Sequence, residues 1–411
     1  MTKADKEGQR KTPILRFKGF TDYWEQRKLG KVATFINGRA YKQNELLDSG
    51  KYKVLRVGNF YTNDSWYYSN LELADKYYID KGDLVYTWSA TFGPHIWDGE
   101  KVIYHYHIWK IELSKFLDRD FTLQILEADK AKLLANTNGS TMIHVTKKDM
   151  ESKVIPLPII EEQKQIGLYL TKFDTLIALY ERKLKLLSRV KKYFLDNLFA
   201  EKKYPNLRFK GFTNVWEKIK LKDTQTTLTD GNYANLYPKP TDMTDADKGI
   251  PFLTGGNLKD GILDLKNAKY ITKEKHSQLK SGHLEEDDIV IAVRGSLGEL
   301  GYVTKQNIDW NINSQLAIIR TSKNELIGNF LLYFFLSSKG KSKLLSRQTG
   351  TALKQLPLQQ LKTIVIPKTL LLEQQKISNI LKTIDKTISF YKDKQQHLTE
   401  IKKALLNTMF I

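Results

Sequence analysis

The sequence LRFKGFTDYWE, residues 15–25, decides the fold because LRFKGFTNVWE follows at residues 207–217. With Pro13 and Pro205 included, ten of thirteen aligned positions are identical. Chance does not reproduce Trp, two Phe, Gly and Arg in one order. The chain therefore contains an internal duplication, and its organisation has to be read as two copies.

The duplication extends to a second segment at the end of each copy. VIPLPIIEEQKQIGLYLTKFDTLIALYERK from Val154 aligns with VIPKTLLLEQQKISNILKTIDKTISFYKDK from Val365. Weaker echoes lie between the two shared segments, where LRVGNF pairs with LTGGNL and GDLVYTWSATFG pairs with DDIVIAVRGSLG. Each copy therefore consists of a shared opening, a variable interior and a shared tail.

The two tails carry apolar residues at helical spacing. In the first tail these residues step by three and four positions from Ile166 to Leu198, and the second tail repeats the pattern from Ile377 to Met409. This periodicity is typical of a coiled-coil seam. It predicts two helices of about 40 residues, beginning near Pro158 and Pro367, that pack on each other. Two separate helices buried in globular domains are the alternative.

The interiors consist of short β-rich runs broken by turn residues. Helical segments at 121–134 and 325–345 interrupt these runs. The alternation predicts a mixed α/β domain in each copy. Trp24 and Trp216 lie in the shared openings, where we expect them to anchor each domain to the helix pair or, if exposed, to bind another subunit. Trp66, Trp88 and Trp97 are expected in the core.

Composition limits the possible functions. The net charge is +20 and there is no Cys, so disulfides and thiol nucleophiles are excluded. A charge excess of this size favours binding to a polyanion such as nucleic acid, although a Lys-rich proteome is an alternative origin. The N-terminus lacks the apolar core of a secretory signal, and no apolar run approaches the ~20 residues of a membrane span. We expect a soluble, cytoplasmic protein that does not bind a membrane.

The sequence offers no catalytic motif. It lacks the Asn/Asp-Pro-Pro-aromatic loop of a DNA methyltransferase, and RGSLGELG at 294–301 departs from the Gly-x-Gly-x-x-Gly order. EEDD at 285–288 is interpreted as a solvated turn into a strand rather than a Mg²⁺ site. HYH at 105–107 places two imidazoles on one strand face but lacks a third ligand. We predict no catalytic residue, no metal and no cofactor.

These motifs resemble one known family. The repeated LRFKGF-x-x-x-W phrase, GNF/GNL and IPLP-I-x-EEQKQI are similar to the specificity subunit (S subunit) of type I restriction-modification systems. The resemblance implies two target recognition domains, each reading half of a bipartite DNA target. It also implies that the two long helices form an antiparallel spacer that docks two modification (methyltransferase) subunits. Restriction/motor subunits join these for cleavage.

The resulting fold prediction is α/β (α+β). Two mixed α/β target recognition domains in tandem are separated by two long antiparallel coiled-coil helices, with an internal pseudo-two-fold repeat. The predicted boundaries are an N-terminal tail at 1–13, recognition domain 1 at 14–157, spacer helix 1 at 158–200, recognition domain 2 at 201–366 and spacer helix 2 at 367–411.

The predicted function is that of a non-catalytic, sequence-specific subunit that binds double-stranded DNA. Because the interiors differ, the two half-sites should be unrelated, about one helical turn apart with an unread spacer of about six base pairs. The alternatives are a coiled-coil adaptor without DNA specificity and a stand-alone DNA nuclease or modifying enzyme.

Base reading needs hydrogen-bonding side chains on loops. In the first interior the candidates are Asn37, Arg39, Lys42, Gln43, Arg56, Asn59, His144 and Lys147. In the second interior they are Asn232, Tyr233, Asn235, Lys239, Thr254, Asn257, Arg294, Lys354 and Gln355.

Overall fold

The computed structural model describes residues 12–61, 63–89, 91–136, 145–199, 203–351 and 353–410. The chain divides into two compact units. The first unit comprises Met1–Glu181 with Asp393–Ile411, and the second comprises Arg182–Lys392. Each unit thus holds one variable interior together with a part of each long helix.

In the described ranges the α-helices are Val57–Tyr61 (α1), Arg119–Asn136 (α2), Lys147–Ser152 (α3), Ile160–Asn197 (α4), Lys273–Gln278 (α5), Gly328–Leu336 (α6), Ser338–Leu345 (α7), Leu358–Lys362 (α8) and Leu371–Met409 (α9). The long helices α4 and α9 have 38 and 39 residues, which agrees with the predicted length. Pro158 precedes α4 by two residues, whereas Pro367 lies in a strand four residues before α9, so the second proline does not begin its helix.

The strands of the first unit are Glu25–Lys28 (β1), Ala33–Asn37 (β2), Tyr52–Leu55 (β3), Tyr67–Ser69 (β4), Tyr78–Ile79 (β5), Leu84–Thr87 (β6), Gly93–Ile96 (β7), Val102–Tyr104 (β8), Ile108–Leu113 (β9) and Val154–Leu157 (β10). They form a four-stranded sheet of order β2-β9-β6-β7, a second sheet of order β4-β3-β8-β5, and the pair β1-β10.

The strands of the second unit are Glu217–Lys220 (β11), Thr227–Asp230 (β12), Ile250–Leu253 (β13), Leu258–Lys259 (β14), Ile262–Leu263 (β15), Lys269–Ile271 (β16), Ile289–Ala292 (β17), Leu300–Tyr302 (β18), Asn311–Ile312 (β19), Leu316–Arg320 (β20) and Val365–Lys368 (β21). Their sheets have the orders β12-β20-β17-β18 and β16-β13-β19, with the pairs β11-β21 and β14-β15.

The two units share one topology despite their different sequences. The order β2-β9-β6-β7 corresponds to β12-β20-β17-β18, and both sheets are antiparallel throughout. In the smaller sheets, β3 pairs with β8 in parallel and β13 pairs with β19 in parallel. The buried central strands β6 and β17 explain why DLVYTW and DIVIAV read as continuous apolar runs. The predicted fold class is confirmed.

The segments of α4 and α9 run antiparallel within each unit. In the first unit Asp174 pairs with Lys402, and Gln395 donates to Glu181 over 3.0 Å, so the contact advances along α4 as it retreats along α9. In the second unit Lys183 lies 5.0 Å from the Tyr391 ring centroid and Lys191 lies 2.6 Å from Asp385, so the contact again advances along α4 as it retreats along α9. Asp174 and Asp385 occupy equivalent positions of the duplicated tails, so the same ion pair occurs once in each unit.

The repeated opening phrase has a structural purpose. The Arg16 guanidinium donates two hydrogen bonds of 2.6 and 2.8 Å to the Glu162 carboxylate at the start of α4. Arg208 binds Glu373 at the start of α9 in the same bidentate way, over 2.7 and 2.9 Å. Both carboxylates are fully buried. Each phrase therefore clamps its own domain to the helix that follows it.

Buried aromatic residues complete this attachment. Trp24 and Trp216 are 2% and 3% exposed, and each packs in the core of its unit. The Trp216 indole Nε1 also donates to Glu373 over 3.1 Å. The predicted anchoring role of the two tryptophans is confirmed, and their burial leaves them no surface for another subunit.

Candidate nucleic-acid interface

Three connections meet at one end of the larger sheet in each unit. In the first unit they are the loop after β2, the segment after β6 and the turn between β8 and β9. The backbone N–H of Arg39 donates to Tyr104 O, that of Tyr106 to Arg39 O and that of Trp88 to His107 O, each over 3.1 Å. In the second unit, Arg294 N donates to Gln315 O over 3.2 Å. Loops far apart in sequence thus form one surface.

A glycine makes this convergence possible. A Cβ at Gly38 would lie 2.4 Å from the carbonyl oxygen of His105, and a Cβ at Gly231 would lie 2.4 Å from that of Asn313. Real Cβ atoms do not approach a carbonyl so closely, so only glycine lets the loop cross the neighbouring turn. The shared Gly in NGRA and DGNY therefore has the same structural role in both units.

In the second unit the residues at this end are named the second loop cluster: the exposed Tyr233, Arg294, Lys354 and Gln355 and the half-buried Ser314. The Arg294 Nη1 donates to Tyr233 OH over 3.1 Å and to Ser314 O over 2.9 Å, and the guanidinium lies 5.5 Å from the Tyr233 ring centroid. Arg294 also forms an isolated antiparallel bridge with Gln355. Four candidates from three distant sequence segments thus share one surface.

The fixed orientation of Arg294 leaves part of its hydrogen-bonding capacity open. A guanidinium has five N–H donors, and the two intramolecular bonds use those of Nη1. Among the described residues, no hydrogen bond occupies Nε or Nη2, and the side chain is exposed. The free edge matches the bidentate geometry with which arginine reads guanine in the major groove.

In the first unit the corresponding first loop cluster comprises Asn37, Arg39, Trp88, His105 and Tyr106. Arg39 is held differently from Arg294, because Nη1 and Nη2 donate to the Glu45 carboxylate over 3.2 and 2.7 Å. These bonds lower the pKa of Glu45 and keep the carboxylate charged. The Arg39 fork is therefore engaged within the protein.

Three of the five residues of the first loop cluster, Trp88, His105 and Tyr106, have aromatic side chains. Tyr106 is 37% exposed, and its carbonyl accepts a 3.0 Å hydrogen bond from Trp88 Nε1. Burial lowers the pKa of His105 to about 4, so its imidazole is neutral at pH 7. Sequence reasoning missed Tyr106 because HYH was interpreted as a strand, whereas His105 to His107 form the turn between β8 and β9. It expected Trp88 in the core, and the Trp88 ring does pack against the core of the first unit but is only partly buried. The dense run of aromatics was the available signal.

Several residues predicted to contact bases use their side-chain amides in hydrogen bonds within the protein. Asn59 accepts from Arg56 N and donates to Asn63 O and Ser65 O. Asn257 is 2% exposed and closes the equivalent turn by accepting from Thr254 N.

Asn232 is 6% exposed, and it donates to Ser281 O over 2.7 Å and accepts from Lys280 N over 3.1 Å. These bonds give the amides of Asn59, Asn232 and Asn257 a folding role.

The remaining candidates are placed as follows. Arg56 lies 4.2 Å above the Tyr67 ring and donates to Ser65 O. Lys147 is the first residue of α3 and pairs with Glu151. His144 lies outside the described residues. The exposed polar candidates are Asn37, Lys42, Gln43, Asn235, Lys239, Lys354 and Gln355.

The acidic run at 285–288 is a turn into β17, as predicted, with Glu285 and Glu286 exposed, Asp287 half-buried and Asp288 buried. Asp288 is 1% exposed, and its carboxylate accepts 2.8 and 2.7 Å bonds from Arg320. Burial raises the pKa of Asp288 despite these bonds. Asp287 accepts from the backbone N–H of Gly328 at the start of α6. The interpretation as a solvated turn therefore holds for Glu285 and Glu286 and is wrong for Asp288, and the carboxylates of Asp287 and Asp288 hold neighbouring segments in place.

Comparison with known proteins identifies the family. A family model described as "Type I restriction modification DNA specificity domain" matches residues 21–189 and 214–400. The chain belongs to this family and contains its domain twice. None of the helices in the described ranges combines the length and apolar composition of a membrane span.

Individual relatives agree with this assignment. The type I restriction enzyme EcoBI specificity subunit of Escherichia coli is 25% identical over 378 residues, covering 87% of this chain and 78% of that protein. The MjaVIII specificity subunit of Methanocaldococcus jannaschii is 26% identical over 401 residues, covering 94% and 92%. The crystal structure of the S subunit from M. genitalium has the same fold, with a TM-score of 0.65, 18% identity and coverage of 97% and 99%.

Proposed function

We propose that this chain is the DNA specificity subunit of a type I restriction-modification enzyme and that it reads a bipartite, asymmetric target. The observation that carries the proposal is the pair of loop clusters. The same sheet order and the same glycine crossing place them at equivalent ends of two units, but their side chains differ. Equivalent positions with different chemistry are what two unrelated half-sites require.

The chemistry of the clusters suits DNA. The net charge of +20 favours phosphate binding through counterion release. In the second cluster, Arg294 offers a free guanidinium edge for a guanine and Lys354 an exposed ammonium for phosphate or base. In the first cluster, Asn37 would supply a polar contact and Tyr106 an aromatic one. Lys42 and Gln43 lie further along the loop after β2. Lys147, Asn235 and Lys239 remain further predicted contacts.

The subunit is proposed to be non-catalytic and to require no cofactor of its own. Two methyltransferase subunits and restriction/motor subunits would supply the chemistry, and α4 with α9 would supply the docking surface and the spacing between half-sites. We retain the boundaries 14–157 and 201–366 for the recognition domains and 158–200 and 367–411 for the spacer helices.

The test is to express the chain with its modification subunits in a host lacking methylation and to map every methylated adenine. The expected result is one motif made of two different parts separated by an unread spacer of about six base pairs. Modification subunits expressed without the chain are the control and should yield no motif. A continuous or palindromic motif would refute the proposal.

A further inference from the structure

We propose that His276, His283 and Asp309 in the second unit form a divalent metal site that takes Zn²⁺. In the described ranges these residues bring together three groups that offer metal-ligating atoms, all within 4.8 Å of one another. They come from three segments: His276 lies in helix α5, His283 in the connection between α5 and β17, and Asp309 in the loop before β19. No sequence motif joins them, since Asp309 follows the histidines by more than twenty residues.

Each imidazole uses one ring nitrogen in a hydrogen bond and leaves the nitrogen that faces Asp309 available for a metal. With the Asn311 amide as oriented in the structure, its Oδ1 can only accept, so His276 Nδ1 donates to it. The carbonyl of Leu279 likewise accepts from His283 Nε2 over 3.0 Å. In its neutral tautomer each ring therefore presents an unprotonated nitrogen, Nε2 of His276 and Nδ1 of His283. Metal-binding histidines typically have their other N–H held by an oxygen in this way.

Both free nitrogens face one carboxylate. His276 Nε2 lies 3.3 Å from Asp309 Oδ2, and His283 Nδ1 lies 3.7 Å from Asp309 Oδ1. Ligand atoms of a tetrahedral zinc site, with bonds of about 2.0–2.1 Å, are separated by about 3.3 Å. Only small side-chain movements would complete three of the four positions, leaving the fourth to water. Two imidazoles and one carboxylate are a donor set that suits Zn²⁺.

The backbone fixes this arrangement without a metal. Asp309 N donates to Leu284 O over 2.8 Å, and Leu284 N donates to Trp310 O over 2.9 Å, so the segments carrying His283 and Asp309 are paired. Asn311, which orients His276, is fully buried. The side chains of His276 and Asp309 are 14% and 67% exposed, so the site is anchored in the protein but open to solvent.

The first unit shows what the same position looks like without such a site. The strand registers make Ile103 the equivalent of Asn311, Lys101 that of Asp309 and Tyr78 that of His283. There the Lys101 ammonium lies 4.7 Å from the Tyr78 ring centroid. A cation–π contact therefore occupies the place of the histidine–carboxylate group, and the metal site is specific to the second unit.

A metal here would stabilise the region beneath the second loop cluster. The segment from α5 to His283 carries Lys280 and Ser281, whose backbones bind both ends of the Asn232 amide. Joining His276, His283 and Asp309 through one ion would therefore hold the loop after β12 against β19. Metal binding itself does not depend on the proposed DNA function, so the two can fail separately.

The experiment is a calorimetric titration of the chelator-treated full chain with Zn²⁺ alone, followed by thermal unfolding with and without Zn²⁺. We expect one equivalent of Zn²⁺ per chain and a higher Tm in its presence. Asp309→Asn and His283→Gln alter partly exposed side chains, and each should weaken binding at least tenfold and abolish the Tm increase. The control variants are His397→Gln and the double variant His105→Gln/His107→Gln, which should bind like the unaltered chain.

No binding below about 1 mM Zn²⁺ would overturn the proposal and leave a histidine–carboxylate ion pair only. Undiminished binding in both Asp309→Asn and His283→Gln would also overturn it, as would loss of binding in the His105/His107 variant alone. Circular dichroism of each variant without Zn²⁺ distinguishes loss of the ligand from loss of the fold, because a ligand substitution should leave the spectrum unchanged.

Discussion

The two units carry different side chains at a loop crossing where their backbones are alike. Strands β2 and β12 hold equivalent positions in their sheets. A glycine follows each strand, Gly38 or Gly231, and passes close to a backbone carbonyl of a neighbouring segment. At these crossings Arg39 is bound by Glu45 and its counterpart Asn232 is bound by Lys280 and Ser281, whereas Arg294, on the segment after β17, presents a free edge. The fold thus fixes where a side chain stands, and its neighbours determine whether it can bind anything else.

The scaffold shows the opposite behaviour. The hydrogen bonds of the Arg16–Glu162 clamp, 2.6 and 2.8 Å, differ by only 0.1 Å from those of the Arg208–Glu373 clamp, 2.7 and 2.9 Å. Gln163 and Gln374 also repeat each other, since each side-chain amide donates to two backbone carbonyls and accepts one backbone N–H. The repeated sequence is therefore concentrated in residues that join domain to helix.

The largest expected effect tests whether the clamps are equivalent. Arg16→Met leaves the buried Glu162 carboxylate unpaired and should lower the free energy of unfolding by about 3 kcal/mol. Arg208→Met should cost less, because Glu373 keeps the hydrogen bonds from Trp216 and Thr369. Urea unfolding measures both changes, and hydrogen exchange assigns each one to its unit. The exposed pair Arg27–Glu25 provides the control, because Glu25→Gln should be almost neutral.

Equal losses for Arg16→Met and Arg208→Met would mean that the hydrogen bonds from Trp216 and Thr369 to Glu373 contribute nothing. A loss below about 1 kcal/mol for both would contradict the clamp itself.

The next effect tests the contrast between the two arginines. Arg294→Ala should remove about 2 kcal/mol of discrimination at one base pair of one half-site, as expected for a bidentate contact. Arg39→Ala should leave base discrimination unchanged and lower stability instead, because its partner is Glu45. Competition binding of the assembled enzyme to targets with single base-pair substitutions measures both. Uniform weakening on every sequence by Arg294→Ala would indicate a phosphate contact.

The smallest effect concerns pH in the first unit. Burial lowers the pKa of His95 to about 4, while its ring stacks on Phe60 at 4.2 Å and bonds Tyr61 OH over 2.8 Å. Between the folded pKa of about 4 and the unfolded value near 6.5, the unfolded chain binds more protons. Stability should therefore fall as pH decreases through this window.

Because the ring keeps some solvent contact, we expect a contribution of about 1 kcal/mol between pH 7 and pH 5. His95→Gln should flatten the pH dependence of urea unfolding, whereas His397→Gln on the surface of α9 should not. An unchanged slope in His95→Gln would show that another group causes the acid sensitivity.

Much of the fold was predictable because it depends on periodicity. The three–four spacing located α4 and α9, and the apolar run IWKIEL coincides with β9. The polar surface was less predictable. Arg39 and Arg294 have the same chemistry in the sequence, and only the folded chain shows that Glu45 engages one of them. The group formed by His276, His283 and Asp309 is likewise invisible to motif spacing, since strand pairing brings its members together.

The most direct test of the central claim, that each variable interior reads its own half of the target, is an exchange of one interior. Residues 218–364 would be replaced by the corresponding domain of a related specificity subunit, and methylated adenines would be mapped after assembly with the modification subunits. The account predicts a new sequence in one half-site, with the other half-site unchanged. Changes in both half-sites, or in neither, would contradict it.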